Sequence, residues 1–162
     1  FKVAQFDRKW WRHNSEIASF MYMNAIIDAY SRKILNWSIS NSMDKQWCIE
    51  LLEDTIAKYG PPEVHNSDQG AQYTSTEYID VLKKHNIQIS MDGKGRALDN
   101  IYIERFWKSI KYEKIYLNPP NGGLDLYKMV REYIEFYNTK RRHTEIGKVP
   151  PDQIYNIKKI AS

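Results

Sequence analysis

The sequence predicts a single α/β domain, and three observations predict it. Two early segments have the apolar runs and alternation of strands. Three later segments repeat their apolar residues at three-and-four spacing, and glycines and prolines fall between the segments. The 162 residues are enough to bury one core without disulfides.

The run Phe20-Met-Tyr-Met-Asn-Ala-Ile-Ile-Asp28 has the length and composition of a buried strand. Asp28-Ala-Tyr-Ser31 turns the chain. Leu35, Trp37 and Ile39 then recur at period two over 34–40, so the pair reads as a hairpin. Trp47, Cys48, Leu51, Leu52, Thr55, Ile56 and Tyr59 define a helix capped by Asp44 and stopped by Gly60-Pro61-Pro62. A short strand over 63–67 leads into Asp68-Gln69-Gly70. Thr74 with Glu77 reads as a capping box, opening a helix through Tyr78, Val81 and Leu82. After a brief strand over 87–90, the two glycines of Met91-Asp-Gly-Lys-Gly-Arg96 predict a mobile loop. A helix over 99–114 turns Ile103, Phe106, Trp107 and Ile110 inward. Asn118-Pro-Pro-Asn-Gly-Gly123 separates it from a last helix over 124–139, and a Pro-containing tail closes the chain. Residues 1–19 stand apart as an atypical N-terminal segment, before a domain over 20–162 that ends in a helical, basic tail.

One cysteine, Cys48, excludes an internal disulfide framework and a cysteine-rich zinc site, which suits a reducing cytoplasm. No apolar run approaches the roughly 20 residues of a membrane span, so no membrane partner is expected. The chain begins with Phe1, and a preceding domain is expected. A net charge of +4 favours a polyanionic partner. Lys108, Lys111, Lys114, Lys140, Arg141 and Arg142 gather in the last third among Trp107, Tyr112, Tyr133 and Tyr137, as in a nucleic-acid surface or a solvated face over an aromatic core.

Asp68 follows a strand, and open α/β sheets place ligands beyond the carboxyl ends of their strands. Glu104 lies on the helix side that the apolar residues leave clear. Lys108 and Lys111 follow it at i+4 and i+7, forming one stripe of a carboxylate and two ammonium groups. Carboxylates suit Mg2+, with Mn2+ as a substitute, while lysines hold phosphates. Glu104 and Lys108 also read as an ordinary helix-stabilising pair. His65, His85 and His143 read as structural or capping residues, and no spacing among the four histidines forms a zinc site.

Three segments carry a resemblance: Asn66-Ser-Asp-Gln-Gly-Ala-Gln-Tyr-Thr-Ser75, Ser90-Met-Asp-Gly-Lys-Gly-Arg-Ala-Leu-Asp-Asn100 and Ile103-Glu-Arg-Phe-Trp-Lys-Ser-Ile-Lys-Tyr-Glu113. With Ala25-Ile-Ile-Asp-Ala-Tyr-Ser-Arg32 and Tyr137-Asn-Thr-Lys-Arg-Arg-His143, they resemble the core of insertion-sequence transposases of the orfB type, related to retroviral integrases. The resemblance implies a ribonuclease H-like mixed sheet flanked by helices and an Asp, Asp, Glu triad. Thirty-five residues stand between Asp68 and Glu104, the separation the family keeps between its second Asp and its Glu. By that correspondence both are catalytic metal ligands. The family's first-strand motif, Trp-x-x-Asp-Ile-Thr-Tyr, has no clear counterpart: its register falls on Trp10 and Trp11. Asp7, a few residues early, is the candidate third ligand ahead of Glu16, while Asp28 matches an Asp outside the triad.

The implied activity is that of a polynucleotidyl transferase, cutting DNA at element ends and joining them to target DNA. Lys94 and Arg96 in the loop, Lys108 and Lys111 on the helix, and Lys140, Arg141 and Arg142 in the basic run are the expected DNA contacts. The partners implied are element ends and target DNA, a second copy of the core on that DNA, and an upstream recognition domain. The setting implied is a bacterial cytoplasm, at the nucleoid. Two alternatives stay open: a degenerate, non-catalytic DNA-binding remnant, and a ribonuclease H-like hydrolase of hybrids.

Overall fold

The structure is a computed structural model and describes the backbone of residues 2–12, 20–91 and 101–161, with side chains from Met21 onward apart from 158, 159 and 161. Five strands form one sheet: β1 (Lys2–Arg12), β2 (Phe20–Asp28), β3 (Ile34–Ser40), β4 (Val64–Ser67) and β5 (Gln88–Met91), in the order β3-β2-β1-β4-β5. β2 runs antiparallel to β1 and β3, and β1, β4 and β5 are mutually parallel. Parallel neighbours need crossovers. Helix α1 (Lys45–Tyr59) joins β3 to β4, and α2 (Thr76–Lys84) joins β4 to β5. Helices α3 (Ile101–Ile110), α4 (Gly123–Thr139) and α5 (Pro151–Ala161) follow.

Alternation along β2 assigns the two faces of the sheet. Met23, Ala25 and Ile27 pack with Ile103, Phe106, Trp107 and Ile110 of α3 and with Leu126, Val130 and Tyr133 of α4. Ile26 turns the other way, joining Leu35 and the α1 and α2 residues Cys48, Leu52, Tyr78 and Leu82. The hairpin, α1 and the inward face of α3 agree with the sequence reading. Asp44 caps α1 by accepting the Trp47 N–H at 2.9 Å. Gly60 ends it at φ 83°, the left-handed region where a side chain is strained.

Three local features differ from that reading. Lys2–Arg12, within the segment set apart in sequence, supplies the central strand. Its register shifts between Lys9 and Trp11, so an irregularity interrupts the period-two pattern that would have revealed it. The cap of α2 is Ser75, which accepts the Tyr78 N–H. The Thr74 hydroxyl instead bonds back to the carbonyls of Gly70 and Ala71, and Glu77 pairs with Lys45. After Ile110 the helix widens into a π-helical turn, Lys111–Ile115. The helix in the tail, which the sequence reading expected, is α5, beginning at Pro151, where a missing N–H costs nothing. No helix among the described residues is long and apolar enough to cross a membrane.

Buried polar groups tie these layers together. Asn138, near the end of α4, imitates a strand partner. Its Oδ1 accepts the Ile34 N–H and its Nδ2 donates to the Ile34 carbonyl, both at 2.9 Å. Asp28 is fully buried and accepts the Ser31 N–H at 2.9 Å and the Ser31 hydroxyl at 2.6 Å. It is the anchor of the β2–β3 turn.

Candidate active site

The chain reverses direction across the sheet between β1 and β4: β2 lies on one side of β1 and β4 on the other. A crevice beyond the carboxyl ends of such strands is where open α/β sheets bind ligands. Asp68 occupies that end, directly after Ser67, which pairs with Gln5 of β1. Two residues beyond Gln5 stands Asp7, across from Asn24 of β2. The shift at Lys9–Trp11 adds one residue to this strand. Asn24 is fully buried, and neither its amide nitrogen nor its oxygen has a hydrogen-bond partner among the described residues.

Asp68 is half-buried, and its Oδ1 accepts the Gly70 N–H at 2.9 Å. A Cβ on Gly70 would stand 2.9 Å from that oxygen and 2.8 Å from the Gln72 side-chain nitrogen. Glycine therefore lets the backbone close around the carboxylate. This role was not read from the sequence, though Gln69-Gly70 after a strand was its available signal. Beneath Asp68 lies His65, fully buried, its Nε2 2.8 Å from the Tyr78 hydroxyl. Burial lowers the His65 pKa to about 3 and pushes that of Tyr78 well up, so both are neutral near pH 7. His65 is a structural partner of Tyr78.

Glu104 lies in the first turn of α3, exposed, with Ile103, Phe106, Trp107 and Ile110 buried on the opposite face. The helix lies against β1. Lys108 is exposed one turn on, and Lys111 is half-buried at the start of the π-helical turn. Lys114 pairs with Glu132 at 3.1 Å. Lys140 and Arg142 are exposed. Arg141, between them, is held in a two-pronged pair. Its Nη2 and Nε lie 2.6 and 2.9 Å from the Glu113 carboxylate, which also accepts the Tyr133 hydroxyl at 2.7 Å. The Arg141 hydrogen bond holds the Glu113 carboxyl below its usual range. Among the described residues, the basic run is thus two cations without an ion pair around one structural clamp. Lys94, Arg96, Glu16 and the Asp7 side chain lie outside the described residues.

Among the described residues, no group of three His, Cys, Asp or Glu side chains could hold a metal ion. Asp68 and Glu104 offer hard oxygen donors, His65 is turned to Tyr78, and Cys48 is buried in the core. Such donors fit magnesium or manganese better than zinc. A three-carboxylate set requires one more acid, and the register puts Asp7 on the strand beside β4.

Two families described as integrase core domains match the chain, over residues 5–97 and 85–151. The InsK protein of insertion sequence element IS150 of Escherichia coli is 32% identical over 161 residues, covering 96% of this chain and 57% of the relative. The transposase InsF for insertion sequence IS3A of Escherichia coli is 34% identical over 140 residues, covering 85% and 49%. The chain thus spans about half the length of these curated relatives. The HTLV-2 integrase catalytic core domain in complex with magnesium has the same fold, at TM-score 0.72 and 17% identity, covering 95% of this chain and 94% of that one. The BIV integrase catalytic core domain aligns at TM-score 0.77 and 14% identity, covering 99% and 96%. These cores have the ribonuclease H-like fold, and this sheet with its flanking helices is another example. The chain belongs to the integrase core domain family.

Proposed function

We propose that this chain is the catalytic core of a DNA transposase and that Asp7, Asp68 and Glu104 are its metal ligands. The supporting observation is one of register: Asp68 directly follows the strand next to β1, Asp7 lies on β1 two residues beyond the partner of Ser67, and α3, which bears Glu104 on its exposed side, packs against β1. Family membership supports the reaction class, and the magnesium in the HTLV-2 core supports the choice of ion.

The reaction is two in-line displacements at phosphorus. Water attacks a phosphodiester at the element's end. Its oxygen forms a P–O bond as the P–O3′ bond breaks, leaving a 3′-hydroxyl and a 5′-phosphate. That hydroxyl then attacks a target phosphodiester, forming one P–O bond for the one it breaks, so no external energy source is required. Bound magnesium supplies charge for both the attacking and the leaving oxygen. Asp68, fixed by Gly70, and Glu104 present carboxylate oxygens from rigid elements. Lys108 and Lys111 continue from Glu104 along α3 and hold the backbone by charge, while Lys140 and Arg142 extend this basic surface. Joining two ends calls for at least two cores on the DNA and an upstream domain that recognises the ends.

The test is cleavage of an element-end duplex in magnesium or manganese by the full-length protein and its Glu104→Gln variant. The variant is expected to fold normally and to lose cleavage. Full metal-dependent cleavage by a folded Glu104→Gln would rule the assignment out. Normal DNA binding with no cleavage by the wild type would select the non-catalytic remnant, and cleavage confined to hybrids would select the hydrolase.

A further inference from the structure

A polar cavity of about 340 Å3 lies between α3, the β2–β3 turn and the segment after α4. Five cations line it, Arg32, Arg105, Lys108, Arg141 and Arg142, against one carboxylate, Glu145. Arg105 pairs with Glu145 and Arg141 with Glu113. Lys108 and Arg142 are exposed, with no ion pair among the described residues. The charge facing this space is therefore positive and only partly neutralised.

Arg32 is held there under strain. Its φ is 68°, in the left-handed region that strains a residue with a side chain. Its N–H donates to the Asp28 carbonyl at 2.8 Å, in the turn that the Asp28 carboxylate anchors. The guanidinium lies 3.3 Å from the centre of the Tyr102 ring on α3, and its Nε is buried without a partner among the described residues.

His143 adds a second orphan. Its Nδ1 is 3.5 Å from Arg141 Nη1, which can only donate, so the ring proton belongs on Nε2. That nitrogen is also buried without a partner among the described residues. Burial, then the Arg141 charge, holds the His143 pKa down at about 4, so the ring is neutral near pH 7. Two buried donors beside one cationic cavity lack an acceptor, and oxyanions are acceptors only.

We propose that this cavity binds a phosphate of the DNA backbone, at a site distinct from the carboxylate centre. The proposal rests on the DNA reading above and adds Arg32, Arg105 and His143 to the surface that contacts DNA. Lys108 links the two sites: it lines the cavity and stands one helical turn, about 6 Å, along α3 from Glu104. A strand engaged at Glu104 would continue toward Arg142.

Duplex binding by the 162-residue chain is measured by fluorescence anisotropy in EDTA across a salt series. Each phosphate contact contributes about 0.9 to the slope of log affinity against log salt. Arg142→Ala and Arg32→Gln are each expected to lower that slope by about one. Lys84→Ala, an exposed lysine outside the cavity, is expected to leave it unchanged. Because Arg32 also shapes its turn, melting curves accompany that variant, and the exposed Arg142 carries the test alone if the turn loosens. An unchanged slope in Arg142→Ala, or an equal fall in Lys84→Ala, overturns the proposal. So does pyrophosphate binding that Arg142→Ala abolishes while the DNA slope is unchanged, since the cavity would then take a free phosphate. These readings need no metal. Loss of cleavage by Glu104→Gln with an unchanged Arg142→Ala slope removes the cavity, and Arg142 from the DNA surface, but not the catalytic reading; the predicted slopes without any cleavage remove the catalytic reading alone.

Discussion

Gly70 donates its backbone N–H to Asp68 at 2.9 Å, and its own missing side chain is what lets the two approach: a Cβ there would stand 2.9 Å from the same carboxylate oxygen. Carbon and oxygen do not pack that closely, so Gly70→Ala must shift the carboxylate or the turn. If Asp68 binds metal, metal-dependent cleavage should fall by about tenfold or more, since small misplacements of reacting groups are expensive. Circular dichroism should remain unchanged. Wild-type cleavage by Gly70→Ala would mean that the position of Asp68 is not critical.

His65 makes the fold sensitive to acid. Burial holds its folded pKa near 3, against an ordinary 6.5. Between those values the unfolded chain binds a proton that the folded chain refuses. Stability is therefore greatest above pH 6.5 and falls as pH drops toward 3, by at most about 1.4 kcal/mol per pH unit. His143 acts in the same direction, more weakly because it is only half-buried. Urea unfolding from pH 7 to pH 5 should show this decline in the wild type and a shallower one in His65→Gln. Equal slopes would show that His65 is not the sensor.

Asn138 joins α4 to β3 through two buried hydrogen bonds to Ile34. Asn138→Ala leaves the Ile34 N–H and carbonyl without that partner. The expected loss is about 2–4 kcal/mol in chemical denaturation, with β3 amides near Ile34 exchanging faster. A loss under about 0.5 kcal/mol would mean that water replaces the amide without penalty.

The hairpin and α1 were legible because a single periodicity governs each. β1 was not, because Val3, Ala4, Phe6, Trp10 and Trp11 do not alternate and its register shifts at Lys9–Trp11. A central strand is held by ladders on both sides, and pairing across the chain leaves no local pattern. Asp68 and Glu104 could be singled out because a strand end and a helix phase are local properties. The closeness of Gly70 to Asp68 is not, nor is the pairing of Arg141 with Glu113, twenty-eight residues earlier. A run of three cations looks uniform until the fold gives its middle member a carboxylate.

The account depends most on Asp7, Asp68 and Glu104 acting as one metal site, and manganese titration by calorimetry tests this directly. The wild type is compared with Asp7→Asn, Asp68→Asn and Glu104→Gln, each checked by circular dichroism for an unchanged fold. The account predicts that the wild type binds manganese and that every substitution weakens binding by about tenfold or more, as loss of a carboxylate ligand should. Wild-type affinity in folded Asp68→Asn or Glu104→Gln would contradict it. Weakening by those two with no change in Asp7→Asn would contradict the assignment of the first ligand and favour the non-catalytic remnant.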